Sequence, residues 1–357
     1  IEVVDIMPTA HSSKLKAEIP SADEISAVNN ELLAILRMGL ARLKWADPAL
    51  APRVQILQKA LVVGGGIAGM TSALAIADHS FHVDLVEQEE MLGGNLNWLD
   101  QTLEGHSTKA ILEETVMKVE KHPLINVHTR SQVLASYGQV GRFYTTIENK
   151  EKGDFTLEHG VTMLATGGME AATTSYNYGK SEAIVTQKEL ERKINDNTLD
   201  PSRLGLIVMI QCVDSRQEPR NYCSRVCCAT TLKHALYFKA QNSDIAVYVL
   251  YRDMMTYGFS ESYYTQARKA GVIFIPYDVA EKPQVAVKDG SVQVTIVEPI
   301  VGQKIQINTD LVILATGIVS KLPKDLAESF GATLDRDGFF EEAESKWRPV
   351  DLSLIHI

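Results

Sequence analysis

Cysteine is scarce in this 357-residue sequence, and it is confined: Cys212, Cys223, Cys227 and Cys228 are its only thiols. No C-x-x-C pair occurs among them, so a redox-active dithiol of that spacing is absent. The first apolar run near Ile1 has neither a basic flank nor a cleavage site, so no secretory leader is expected. Structural disulfides therefore have little support, and a reducing, cytoplasmic setting is expected. No apolar run approaches the roughly 18 residues of a spanning helix. Positive charge is also short, with 35 Lys and Arg against 45 Asp and Glu for a formal charge of −10. That balance argues against nucleic acid and against a polybasic membrane patch. The nine histidines are scattered without ligand spacing.

What is present is concentrated in Gln211 to Thr231, QCVDSRQEPRNYCSRVCCATT. Four soft ligands gathered so closely point to a metal centre. A helical turn spanning Cys223 and Cys227 would set both on one face, with Cys228 directed away to reach another side of a compact cluster. A four-thiolate [4Fe–4S] centre fits such mixed short spacings best. Structural zinc is the next reading, although adjacent cysteines suit its tetrahedron less well. Disulfides and unrelated buried cysteines complete the alternatives.

The length predicts about two domains, and 45% apolar residues can fill a sizeable core. Residues 1 to 20 read as irregular. Ala22 to Lys44 carries Ile25, Val28, Leu32, Leu33, Leu36 and Leu40 at helical spacing, and core packing is the expected role of that face. Ser21 with Glu24 would form its capping box, and Pro48 and Pro52 mark a linker.

From Lys59 the sequence reads strand, glycine turn, helix and strand, with Gly64, Gly66 and Gly69 in G-x-G-x-x-G register. The first glycine allows the tight turn, the second admits a pyrophosphate, and the third brings helix and strand together. Glu87, at the end of the second strand, is placed to accept hydrogen bonds from an adenosine ribose. The motif alone does not separate FAD from NAD. Gly93 and Gly94, in an E-x₅-GG pattern, resemble flavoprotein families that fold a second glycine turn over FAD.

Residues 125 to 163 alternate as strands and end in Ala165-Thr166-Gly167, the form in which two-domain flavoproteins return to an FAD site. The device recurs at DLVILATGI, ending at Gly317, which implies a second domain inserted in the first. The expected division is 1–58 (helical extension), 59–169 (FAD domain, first part), 170–315 (inserted Rossmann-like domain) and 316–357 (FAD domain, return). The fold class is α/β, a two-domain flavoprotein of thioredoxin-reductase-like type. In the inserted unit the cysteines stand where a second G-x-G-x-x-G would bind a nicotinamide nucleotide, which implies iron–sulfur electron delivery in place of hydride.

At QCVDSR, YCSRVCC, VYVLYRDMMTYG and LVVGGGIAGM the chain resembles the A-type subunit of heterodisulfide reductase, over nearly all of residues 22 to 350. The resemblance implies FAD and a [4Fe–4S] cluster on Cys212, Cys223, Cys227 and Cys228. By matching position it also implies a basic side chain, Lys233, close to the flavin. Partners of B and C subunit type follow from it, with a hydrogenase or dehydrogenase as donor, ferredoxin as one acceptor, and a homodimer within a larger complex. In that family the flavin bifurcates electron pairs toward ferredoxin and a disulfide. The chain departs from the family in having no further cysteine-rich cluster sites. After Trp347-Arg348-Pro349-Val350-Asp351 a further strand and glycine turn are expected, and LSLIHI stands there instead, so the tail reads as foreign or truncated. The rival readings are a quinone-interacting subunit of sulfate reducers, a flavin-free structural scaffold, and a simple pyridine-nucleotide disulfide reductase.

Overall fold

A computed structural model describes residues 22–45, 55–288, 290–300, 302–322 and 324–341. The chain divides into two units, Ile1–Val54 and Gln55–Ile357. In the first, the helix Ala22–Trp45 forms over the expected span. Of its apolar stripe, Leu33, Leu36 and Leu40 are exposed and Leu32 is half-buried, while the side chains of Ile25 and Val28 lie outside the described residues. Ser21, the two prolines and the tail from 342 onward lie outside the described residues, as does the side chain of Glu24.

The second unit repeats one plan twice. In the first sheet, Ile125–His128, His82–Val86, Lys59–Val63 and Val161–Leu164 lie side by side, all parallel. The second sheet aligns Ile273–Pro276, Ala246–Tyr251, Leu206–Ile210, Leu311–Leu314 and Ile184–Thr186, again all parallel. Sheets covered on both faces demand strands that are apolar throughout, which KALVV, LIVMI and LVIL provide. On one face of the first sheet the helix Ile67–Asp78 buries Met70, Ala73 and Ala77. On the other face a meander of Ser131–Gln139, Arg142–Asn149 and Phe155–His159 buries Val133, Ile147 and Leu157. The second sheet is covered likewise, by the helix Cys227–Gln241 through Leu232, Ala235 and Phe238, and by the meander Gln284–Lys288, Ser291–Glu298, Gln303–Thr309.

The chain passes between the two halves immediately after each A-T-G. The passing segments, Gly168–Glu170 and Ile318–Ser320, pair antiparallel as a short ribbon. Among the described residues no helix is long and apolar enough to cross a membrane.

Candidate functional site: a glycine turn and a four-cysteine loop

The glycine turn is shaped by the side chains it omits. Gly64 has φ 109°, and a Cβ there would overlap the Ala165 carbonyl oxygen. A Cβ at Gly69 would overlap the carbonyl oxygen of Gly64, so only glycine lets the helix start this close to the strand. Gly66 faces open space and precedes Ile67–Asp78, whose first turn has neither a side-chain cap nor an acidic residue. Those amide donors, with the positive end of the helix dipole, remain available to an anion.

Gly93 and Gly94 pack onto this turn. The Gly93 amide donates to the Gly65 carbonyl at 2.8 Å, and Gly94 lies within 3.2 Å of the Gly66 Cα, measured from an added Cβ. Glu87 is buried, its Oε2 accepting from the Gly65 amide at 2.6 Å and its Oε1 from the Glu89 amide at 2.9 Å. The carboxylate thus braces the turn while keeping lone pairs for a further donor. The Ala165 amide donates to the Val63 carbonyl at 2.8 Å, which sets Ala165, Thr166 and Gly167 beside the turn.

The second half places the same device beside the cysteines. The Ala315 amide donates to the Ile210 carbonyl at 2.9 Å, as Ala165 does to Val63. Gly317 therefore borders the cysteine loop, and an added Cβ would meet Ser224 Oγ at 2.8 Å. The loop is bound to this return strand by the Val213 amide on the Ala315 carbonyl (3.0 Å) and by three side-chain bonds. Ile318 N donates to Ser224 Oγ (2.8 Å), Tyr222 Oη donates to the Ile318 carbonyl (2.8 Å), and Arg220 donates to the Thr316 carbonyl (2.9 Å). On the partner strand of the ribbon, the Gly168 carbonyl accepts from Asn95 Nδ2 at 3.2 Å. Both sites thus touch the same ribbon.

All four cysteines are free and line one small pocket, together with Ser215, Arg216 and Met255. The helix begins at Cys227, so Cys223 is not on a helical turn with it. Arg225, at φ 62°, breaks the path between them, and Cys223 enters from the loop instead. Cys212, Asp214 and Arg216 are likewise left-handed, at φ 54°, 50° and 57°. Each such non-glycine conformation costs about 1 kcal/mol or more, which the loop's side-chain anchors offset.

Burial pushes the Cys227 thiol up to about 12 and the Cys228 thiol up to about 11, and it raises Cys212 against the opposing pull of Arg216. Among the described residues no group of three or more His, Cys, Asp or Glu side chains could hold a single metal ion. The donor set is four thiols lining one small pocket. Arg216 Nη1 is buried there without a hydrogen-bond partner, although its Nη2 pairs with Asp253 Oδ2 at 2.6 Å. An unspent guanidinium donor beside four thiols suits an occupant rich in negative charge, as an iron–sulfur cluster on thiolates is. The residues fit that group.

Lys233 lies between the halves. It is buried, ion-paired with Glu191, and donates to the Gln101 carbonyl at 2.9 Å. Glu191 Oε1 also accepts from His234 Nε2 at 2.7 Å, while Oε2 accepts from the Asp100 amide at 3.3 Å. Burial alone would raise the Glu191 carboxyl, but His234 and Lys233 hold it down at about 2. Sequence reasoning missed Glu191, Asn95, Arg220, Tyr222 and Ser224. Only the capping box Thr186–Glu189, which fixes the start of the helix bearing Glu191, left a local trace.

Two parallel-sheet halves joined by a ribbon define a thioredoxin-reductase-like α/β fold. Thioredoxin reductases of Lactococcus lactis (TM-score 0.56, 15% identity, 82% of this chain and 87% of that one) and T. acidophilum (TM-score 0.54, 16% identity, 82% and 88%) share it. The family model described as pyridine nucleotide-disulphide oxidoreductase matches residues 58–198. In sequence the chain is similar to the first A-type iron-sulfur subunit of the CoB–CoM heterodisulfide reductase of Methanopyrus kandleri, 28% identical over 88% of this chain and 62% of that protein. It is also similar to the A-type subunit of the ferredoxin:CoB-CoM heterodisulfide reductase of Methanosarcina acetivorans, 26% identical over 92% of this chain and 57% of that protein. The resemblance to heterodisulfide reductase A-type subunits therefore extends over about nine tenths of the chain. The chain in turn spans about three fifths of those relatives.

Proposed function

We propose that this chain is the flavin and iron–sulfur core of an oxidoreductase subunit of heterodisulfide reductase A type, working in the cytoplasm. The observation that carries the reading is the four-thiol pocket at the strand end where the matching turn of the other half is a dinucleotide cradle. FAD, when bound, supplies two-electron chemistry, and a [4Fe–4S] cluster supplies one-electron chemistry.

The amides at the start of Ile67–Asp78 would hold the pyrophosphate, with Gly64 and Gly69 bringing strand and helix together behind it. The free lone pairs of Glu87 would accept from a ribose. Gly93, Gly94, Ala165, Thr166 and Gly167 would form the surrounding wall. Cys212, Cys223, Cys227 and Cys228 would bind iron as thiolates, each giving up its proton to the metal's demand. Arg216 would donate to the inorganic sulfur. Gly317 is reassigned in this reading from the flavin site to the cysteine loop. Lys233 could offer its charge to a flavin only by loosening its hold on Glu191, so its tie to the flavin depends on that exchange.

The division at 170 and 315 is part of the proposal and is supported by the ribbon that begins just after each A-T-G. Ferredoxin is carried over from the name of the Methanosarcina acetivorans relative, whereas partners of B and C subunit type, a hydrogenase or dehydrogenase donor, bifurcation and a homodimeric assembly are what the resemblance to A-type subunits implies. Anaerobic purification with iron, sulfide and flavin assays tests the core. The expected result is about four irons and one FAD per chain. Unchanged iron in Cys227→Ser would refute the ligand set.

A further inference from the structure

The second sheet has a cavity that the redox reading does not use. It measures about 430 Å³ and opens at the carboxyl ends of Leu206–Ile210, Ala246–Tyr251 and Ile273–Pro276. Its walls include Tyr176, Asn177, Asp214, Arg252, Tyr277 and Lys282. In open α/β sheets that edge is the ordinary ligand crevice, and the volume falls within the small-molecule range. The cavity is separate from the pocket of four thiols. That pocket lies by the start of the helix Cys227–Gln241, whereas Tyr176 and Val285 belong to the cluster packed under the meander. Cys212 is the one residue lining both, so the loop that begins with it is the partition between them.

The cavity's charges are unevenly spent. Asp214 is already satisfied, its Oδ2 accepting from Thr173 Oγ1 (2.6 Å) and its Oδ1 from Ser175 Oγ (2.7 Å). Arg252 Nη1 donates to the carbonyls of Ser215 (3.4 Å) and Arg216 (2.9 Å), and Lys282 Nζ donates to Gln217 Oε1 at 2.5 Å. Neither cation pairs with a carboxylate among the described residues, and the Tyr176 hydroxyl has no hydrogen-bond partner among them. Tyr176 and Asn177 are successive left-handed residues, at φ 56° and 57°, held by Asn177 Nδ2 on the Val285 carbonyl at 2.7 Å. That turn sets Tyr176 in the cavity wall, which it shares with the two cations.

We infer that this cavity is a binding site for a small organic oxyanion, its charged group between Arg252 and Lys282 and a flat body against Tyr176 and Tyr277. A phosphate, sulfonate or carboxylate head matches the guanidinium and ammonium donors. Cys212 lines the cavity and Arg252 is held by the Ser215 and Arg216 carbonyls, so the inference takes the thiol-bearing loop as folded.

Titration calorimetry on the cofactor-loaded full chain tests it, with phenyl phosphate and benzoate as probes and benzyl alcohol as the uncharged control. One saturable site per chain for the anions, and none for the alcohol, is expected. Two variants start from exposed side chains and leave the core intact: Lys282→Glu should weaken phenyl phosphate at least tenfold, and Gln284→Trp should abolish binding by filling the cavity. Equal affinity for the alcohol, or unchanged affinity in both variants, overturns the inference. So does the absence of saturable heat with both anions up to millimolar concentration. None of these outcomes bears on the iron and flavin assays, so the two readings fail independently.

Discussion

The two halves begin with the same strand, turn and helix but hold the turn in opposite ways. After Lys59–Val63 the chain reaches its helix through Gly64 to Gly66, and the shape comes from absent side chains. After Leu206–Ile210 it takes residues 211 to 226 to do so, four of them non-glycine in left-handed conformation, and the shape is imposed by side chains reaching the return strand. A turn built from omission fails when anything is added. A loop built from anchors fails by increments, one bond at a time.

Substitutions rank along that contrast. Gly64→Val should have the largest effect, a loss above about 4 kcal/mol with flavin content near zero, read by denaturation and absorbance. A stable, yellow variant would break the comparison. Glu191→Gln removes the carboxylate charge that pairs with Lys233 and His234 and that takes the Asp100 amide from the other half, and should cost about 3 kcal/mol by leaving a buried ammonium unpaired. The same residue sets an acid limb. Its folded value of about 2 lies below the ordinary 4.5, so its stabilisation is present above about pH 4.5 and lost as pH falls through about 2. In the glutamine variant, stability measured across that window should fall less steeply. Tyr222→Phe, which deletes one anchor, should cost about 1 kcal/mol and release iron faster to a chelator while leaving flavin content unchanged. Arg225→Gly should do least, a gain of at most about 1 kcal/mol in the melting transition by relieving φ 62°.

The sequence made the glycine half legible because its contacts are local: Gly64, Gly66, Gly69 and Glu87 fall within one βαβ unit whose period and spacing are visible in the residues. The cysteine half was legible as chemistry and opaque as geometry. Four cysteines in a short stretch stand out in the sequence and line one pocket in the fold, whereas the anchors join residues about a hundred positions apart and leave no periodic trace. Gly317 illustrates the gap. Its A-T-G is indistinguishable in sequence from that of Gly167, and the pairing of Leu311–Leu314 with Leu206–Ile210, continued by the bond from Ala315 to Ile210, sets it at the end of the second sheet. The apolar stripe of Ala22–Trp45 had the converse fault, a clear helical period that does not reveal whether the face is covered.

The two segments that carry the chain between the halves, Gly168–Glu170 and Ile318–Ser320, are paired as one ribbon. Tyr222 and Ser224 fasten the thiol-bearing loop to that ribbon, and Asn95 fastens the segment packed on the glycine turn to it. The loop and the turn are therefore each held by side-chain bonds to the same pair of strands, and loss of that pairing would free both at once.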